Sequence, residues 1–271
     1  MKVLLTGVTG YVGKRLLVVL IQLGYEVICV VRDQKRLDVS PSILKKIKVV
    51  EADFLNKATL KKLPRDIDAA YYLIHSMATS TKDFYELESS CALNFRDYVN
   101  EMDVKQVIYL SGLLTSQGKM SEHLSSRKNV EDILLSGNYK STVLRAGIIV
   151  GSGSASFEII RDIVEKLPVM ITPKWVLTKS QPISIRDIVS YLSKVLLNDA
   201  CMGKCFDIGG PEVLTYKEML MQYADVRGLK RRIITIPIMT PKISSFWLFF
   251  ITSTSYRLAT NLVQSMKYEV V

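Results

Sequence analysis

A doubly wound α/β architecture, with a parallel sheet covered by helices on both faces and a small C-terminal lobe, is the fold class this sequence predicts. Three observations carry the prediction. Short, nearly continuous apolar runs alternate with helical patterns from Lys2 to about residue 150, as expected for strands buried on both faces between crossover helices. The first strand runs directly into Thr6-Gly7-Val8-Thr9-Gly10-Tyr11-Val12-Gly13, and a helical pattern leaves that turn. Beyond residue 150 the rhythm changes to segments punctuated by Pro168, Pro173, Pro182, Pro211, Pro237 and Pro241.

The expected strands are Val3–Leu5, Val27–Val31, Lys48–Glu51, Ala69–Ile74, Gln106–Leu110 and Thr142–Leu144. Helices are expected at Tyr11–Leu23, where Leu16, Leu17, Val19, Leu20 and Leu23 precede a stop at Gly24, and at Lys82–Glu101 and Ser121–Leu135. The last of these ends before Gly137. Gly151-Ser152-Gly153-Ser154 opens a further helix, Phe157–Leu167, which stops at Pro168. The pattern divides into a dinucleotide-type domain over 1–150 and a substrate-side lobe over 151–271, interleaved with the end of the sheet.

A glycine-rich turn between a first strand and a first helix leaves backbone N–H groups and the positive helix end facing outward, which suits a pyrophosphate. Gly7 permits the tight turn, Gly10 the approach of phosphates, and Gly13 the packing of helix on strand; Thr9, Tyr11 and Val12 complete the contact surface. The strand–turn–helix–strand context required of such a Rossmann fingerprint is present. Strand two ends at Val30-Val31-Arg32-Asp33, with Lys35 and Arg36 just beyond. An acidic residue there accepts from a ribose 2′-OH, whereas arginine accommodates a 2′-phosphate. Arg32 and Arg36 therefore favour NADP(H) over NAD(H), although Asp33 takes the selecting role if the register moves by one. Asp53-Phe54, after strand three, is placed at the adenine edge or in a turn. Leu73-Ile74-His75, leaving strand four, passes beneath the ribose and nicotinamide. His75 is one of only two histidines, and reads equally as a polar strand-end residue.

Composition bounds the rest. The 271 residues, 48% hydrophobic, carry a formal net charge of +10. The basic residues are dispersed rather than gathered in a stripe with aromatics, so nucleic acid is not an expected partner. No run reaches the roughly 20 apolar residues of a membrane-spanning helix, and the first strand begins at once, so a cytoplasmic protein without a signal peptide is expected. Ile243–Ile251, with Phe246-Trp247-Leu248-Phe249-Phe250, reads as core or protein-docking surface, or as a peripheral anchor at the inner membrane. The four cysteines are scattered, and Cys201-Met-Gly-Lys-Cys205 lacks the spacing and histidines of a zinc site, so no metal is expected.

These residues resemble a family. Gly7-x-x-Gly10-x-x-Gly13, Arg32, Asp53, Ser111-Gly112, Leu144-Arg145-Ala146-Gly147-Ile148-Ile149-Val150-Gly151 and Gln181-Pro182-Ile183-Ser184-Ile185-Arg186-Asp187-Ile188 are similar to atypical short-chain dehydrogenase/reductases of the extended, epimerase-like and NmrA-like kind. They also resemble bacterial nucleotide-sugar-epimerase-like proteins related to the NADPH-binding accessory subunit of respiratory complex I. In many such relatives a second domain follows. Classical members use Tyr-x-x-x-Lys after strand five, and this sequence contains none; the corresponding helix reads His123-Leu124-Ser125-Ser126-Arg127. That spacing puts His123 and Arg127 on one helix face. The resemblance implies two readings. In one, Arg127 holds the nicotinamide ribose or a phosphate, His123 exchanges a proton with an unidentified small-molecule substrate, and Ser111 orients its carbonyl. In the other the chain binds NADPH as a sensor or assembly component and turns nothing over.

Overall fold

The computed structural model describes residues 1–75, 84–113, 122–236 and 269. In chain order its elements are β1 (Lys2–Thr6), α1 (Tyr11–Gln22), β2 (Glu26–Val31), α2 (Pro41–Leu44), β3 (Ile47–Glu51), α3 (Lys57–Leu60), β4 (Ala69–Tyr72), α4 (Phe84–Asn100), β5 (Gln106–Gly112), α5 (Glu122–Leu135) and β6 (Lys140–Ala146). There follow β7 (Ile149–Val150), α6 (Ala155–Lys166), β8 (Val169–Pro173), β9 (Lys179–Ser180), β10 (Ile183–Ser184), α7 (Ile185–Lys194), β11 (Cys205–Ile208), β12 (Leu214–Thr215), α8 (Tyr216–Val226) and β13 (Arg232–Ile236).

The chain divides into two compact units, the first made of 1–112, 126–145 and 186–207, the second of 113–125, 146–185 and 208–271. The first holds the main parallel sheet, whose seven described strands run in the order β11-β6-β5-β4-β1-β2-β3. The order reverses at β1, which pairs in parallel with β2 on one side and β4 on the other. A doubly wound sheet opens a crevice at the carboxyl ends of its strands where the order reverses, and that is where such folds take ligands.

The six expected strands are present within two residues at each end. β4 stops at Tyr72 rather than Ile74 for a local reason. The Leu73 N–H donates to the Thr6 hydroxyl (3.1 Å), and that hydroxyl donates to the Tyr71 carbonyl (2.9 Å). A side chain thus replaces the next rung of the ladder and lets Leu73–His75 peel away over β1. The segment Leu55–Leu63 holds a single helical turn, α3. β11, an edge strand of half-buried and exposed residues, was not expected from the sequence.

The core of this unit explains where the site residues point. On α4, Glu88, Cys91, Ala92, Phe95, Tyr98 and Val99 form the buried stripe at helical spacing. Phe95 meets the Tyr72 ring edge-on at 4.9 Å and the Phe54 ring at 5.4 Å, so α4 is fixed over the ends of β3 and β4. Asn94 adds a hydrogen bond to the Phe54 carbonyl at 2.6 Å. Burying aromatic faces of this size contributes several kcal/mol, enough to hold a carboxylate on the same stripe.

The second unit has its own core, in which Ile159, Ile163 and Val164 of α6 meet Met219 and Leu220 of α8, with Met170 and Val176 between. β8 and β13 pair in parallel from Val169–Arg232 to Pro173–Ile236. Helix α8 starts with a reciprocal cap in which the Thr215 hydroxyl accepts from the Glu218 N–H and the Glu218 carboxylate accepts from the Thr215 N–H. Among the described residues no helix is long and apolar enough to cross a membrane. Ile243–Ile251 lies outside the described residues.

Candidate active site

A crevice opens at the carboxyl ends of β1, β2, β3 and β4, with about 940 Å³ of space between its walls, open solvent included. Of the residues expected from sequence, Gly7, Thr9, Gly10, Arg32, Asp53, Phe54, Leu73, Ile74 and His75 line it. Leu87, Glu88 and Cys91 of α4 complete the far wall.

The three glycines do different work. Gly7 has φ +67°, and a Cβ there would lie 2.2 Å from the Leu73 carbonyl oxygen, so both its conformation and the approach of β4 require glycine. A Cβ on Gly13 would lie 2.3 Å from the Gly7 carbonyl oxygen, because α1 packs down onto the turn. Gly10 differs. It caps α1 in ordinary extended backbone without a side-chain cap, and a Cβ there would meet only the Gly7 oxygen, at 3.1 Å. A Cβ at 10 is tight against that one oxygen, which must give by a few tenths of an ångström, and meets nothing else within 4 Å. The backbone N–H groups at that turn have no intrahelical acceptors, so the cradle fits a pyrophosphate.

At the adenine side, Arg32 is exposed, and among the described residues no hydrogen bond or ion pair holds its guanidinium. Asp33 does not line the crevice: its Oδ1 accepts the Lys35 N–H at 2.9 Å and caps the short 3-10 turn Gln34–Arg36. Arg36 stands exposed on that turn and is not part of the crevice wall. Asp53 lines the crevice while its Oδ1 accepts from the Leu55 N–H at 3.0 Å, combining the turn role with a wall position.

The opposite end is built around a buried carboxylate that sequence reasoning did not nominate. Glu88 is 6% exposed. Its Oε1 lies 2.9 Å from His75 Nδ1, and its Oε2 accepts from the Ser126 hydroxyl at 2.9 Å. A glutamate on the i, i+3, i+4, i+7 stripe of an otherwise apolar helix face was the available signal. Arg127 Nη1 reaches the Tyr109 hydroxyl at 3.2 Å, and that hydroxyl lies 3.4 Å from the Arg127 carbonyl. Burial works against the Arg127 charge, but the Tyr109 phenol and the Glu88 carboxylate more than offset it. Burial raises the Tyr109 phenol above its ordinary range. Burial also pushes His75 down from 6.5 to about 4, with the Arg127 charge adding to that and Glu88 opposing it. His75 is therefore a neutral imidazole near pH 7.

The structure brings together only part of the constellation expected on α5. Arg127 is turned onto Tyr109 and is not among the lining residues of the crevice. Tyr11, Val12 and Gly13 begin α1 behind the turn without lining the crevice. Ser111 sits at the end of β5 beside Tyr109; its hydroxyl is buried and, among the described residues, has no hydrogen bond of good geometry. The backbone of His123 is in α5, and its side chain lies outside the described residues. Arg145 braces rather than lines: it pairs with the buried Glu131 at 2.7 Å and with Asp207 at 3.4 Å. Burial pushes the Cys91 thiol up to about 11 and Cys29 to about 12, so neither is a thiolate at neutral pH. All four cysteines are free. Among the described residues no group of three or more His, Cys, Asp or Glu forms a metal site.

Residues 3–130, which contain the glycine turn, Arg32, Asp53, His75 and Glu88, match the model of the NAD dependent epimerase/dehydratase family. Over these residues the chain is similar to that family. A curated relative of this chain is the mitochondrial NADH dehydrogenase [ubiquinone] 1 alpha subcomplex subunit 9 of Arabidopsis thaliana, 24% identical over 229 residues. That match covers 79% of this chain and 54% of the relative, so the chain spans about half the relative's length. Among solved structures, a nucleoside-diphosphate-sugar epimerase from Staphylococcus aureus superposes with a TM-score of 0.77 at 14% identity, covering 98% of this chain and 90% of that one. The NADPH-dependent quinone oxidoreductase of Escherichia coli, solved with NADPH, gives 0.76 at 18% identity over 98% and 88%. UDP-glucuronic acid 4-epimerase of Bacillus cereus, solved with UDP-glucuronic acid and NAD, gives 0.69 at 16% over 98% and 99%. These likenesses establish the Rossmann-like fold.

Proposed function

We propose that this chain binds NADP(H) and uses it as an oxidoreductase of the reductase or epimerase type on a small-molecule substrate still to be identified. The observation that carries the cofactor choice is the contrast at the end of β2: Arg32 is exposed on the crevice wall and, among the described residues, unpaired, whereas Asp33 is not part of that wall and caps the 3-10 turn. An unpaired guanidinium there suits a 2′-phosphate by charge-assisted hydrogen bonding. The bound dinucleotide would supply or accept the hydride. The protein's part is to seat the pyrophosphate on Gly7–Gly13, hold the 2′-phosphate at Arg32, and place His75 and Ser111 toward the reacting end.

A second reading has its own support. The chain lacks Tyr-x-x-x-Lys, Arg127 is occupied by Tyr109, and the curated relative is named as a subunit of NADH dehydrogenase. Here NADPH is a bound structural or sensing group, and the partner is a protein complex. Incubation with NADPH and a panel of ketones, aldehydes, quinones and nucleotide sugars separates the two. Oxidation of the reduced nicotinamide, or interconversion of a sugar, that is lost in Gly10→Val supports the enzyme. Tight binding of NADPH with no turnover across the panel supports the second reading.

A further inference from the structure

We infer that Glu51 is a specificity-determining residue of the cofactor crevice: its carboxylate, anchored on the turn that follows Arg32, opposes a 2′-phosphate there and keeps the site open to the unphosphorylated dinucleotide. This role presupposes the proposed dinucleotide site and sets how far Arg32 can discriminate within it. Glu51 ends β3, is exposed, and immediately precedes the crevice-wall residues Ala52 and Asp53. The parallel pairing of β2 with β3 puts it opposite Val31, the residue before Arg32. From there its Oε2 accepts the Gln34 N–H at 3.2 Å.

That hydrogen bond is not what closes the turn. The 3-10 turn Gln34–Arg36 already has its cap, since Asp33 Oδ1 accepts the Lys35 N–H at 2.9 Å. The Gln34 bond instead joins residues 17 apart in sequence and brings a second carboxylate to the stretch that follows Arg32. Both N–H groups that open the turn thus hold anionic acceptors. Successive backbone N–H groups in a turn are otherwise natural donors for a phosphate. A phosphate monoester carries about −1.5 to −2 charge at pH 7, and a 2′-hydroxyl none. Glu51 therefore acts on only one of the two cofactors. Arg32 attracts the phosphate by direct contact, and Lys35 and Arg36 add exposed cations on the turn; Glu51 is the opposing charge. At an exposed rim, a like charge just beyond contact distance changes affinity several-fold, and less as salt screens it. The site so built prefers NADP(H) by a smaller margin than Arg32 alone would give.

Calorimetric titration of the full chain with 2′,5′-ADP, 5′-AMP, NADPH and NADH tests this role, because each pair differs by the 2′-phosphate alone. In Glu51→Gln the amide oxygen can still accept the Gln34 N–H, so the turn is kept and only the charge is lost. 2′,5′-ADP and NADPH should then bind about fivefold more tightly in dilute buffer, with 5′-AMP and NADH unchanged. At high salt the gain should shrink toward nothing. Unchanged or weaker binding of the phosphorylated pair in Glu51→Gln overturns the inference. So does an equal gain for all four ligands, or a gain that high salt leaves intact. A residue that only braced the turn would give another pattern, with NADPH weakened in Glu51→Ala and unaltered in Glu51→Gln, and that result also rules out a selecting charge. Glu51 is exposed, so both variants should fold, and circular dichroism of the same samples checks it. A wild-type chain that binds none of the four ligands removes the dinucleotide site itself, a failure distinct from the others.

Discussion

The two ends of the crevice are built by different means. At the β1–α1 end the work is done by backbone: a positive-φ glycine, a helix start and the absence of a Cβ at Gly10. At the β4 end it is done by side chains: His75 and Glu88 line the wall, and Ser126 of α5 holds the Glu88 carboxylate from behind. Backbone geometry of the first kind depends on residues within a few positions of one another. The second kind depends on which face of α4 and α5 turns inward, and so on the packing of the whole unit. The difference teaches that the first end can be broken at one residue, while the second shares its geometry among several.

The largest effect should come from Gly10→Val. Because a Cβ at 10 meets only the Gly7 oxygen at 3.1 Å, the chain should fold with little loss of stability. Its branched side chain should stand in the phosphate cradle and weaken NADPH binding by about a thousandfold, roughly 4 kcal/mol. Calorimetry with circular dichroism on the same sample checks both halves. Gly7→Ala should show the reverse pattern. With φ at +67° and the Leu73 oxygen 2.2 Å from the new Cβ, it should cost about 2–4 kcal/mol of stability by denaturant titration. If Gly7→Ala and Gly10→Val lose stability equally, the division between a folding glycine and a ligand-facing glycine is wrong.

Next in size is Arg32→Ala. Loss of a charge-assisted partner for the 2′-phosphate should weaken NADPH by about 10- to 30-fold, near 1.5–2 kcal/mol, and leave NADH within about twofold. An equal loss for both cofactors would show that Arg32 acts on the shared part of the ligand.

The smallest and most gradual effect is at the other end. The folded-state pKa of His75 is depressed from 6.5 to about 4 by burial, with Arg127 contributing. Above the unfolded value neither state holds the proton, so the contribution of the neutral ring is complete. As pH falls from about 6.5 toward 4, the unfolded chain takes up a proton that the folded chain refuses, and stability declines across that window. His75→Phe should flatten the slope of unfolding free energy against pH between 6.5 and 5. An identical slope in the variant would mean that other groups carry it.

This division also decides what was legible in the sequence. The strand–glycine–helix start, the β2 and β3 ends and the doubly wound class are local patterns, and each could be read from neighbouring residues. The end of β4 was overrun by two residues because Thr6, distant in sequence, takes the Leu73 N–H. β11 escaped notice because an edge strand whose residues stay half-exposed has no continuous apolar run. Glu88 was not nominated, since nothing in Glu86-Leu87-Glu88 alone shows that it joins Cys91, Phe95 and Val99 on a buried face. Arg127 was expected to reach the cofactor from its one-turn spacing to His123. Spacing fixes a helix face but not the Tyr109 hydroxyl that waits for it on β5.

The central claim is that the Gly7–Gly13 turn and Arg32 together bind a dinucleotide and select its phosphorylated form. Paired calorimetric titrations of the full chain with NADPH and NADH, in dilute buffer and again at high salt, test it most directly. The account predicts tighter binding of NADPH in dilute buffer, with a margin that narrows as salt screens the exposed Arg32–phosphate contact. Equal affinities for the two cofactors at low salt, or binding of neither, would contradict it.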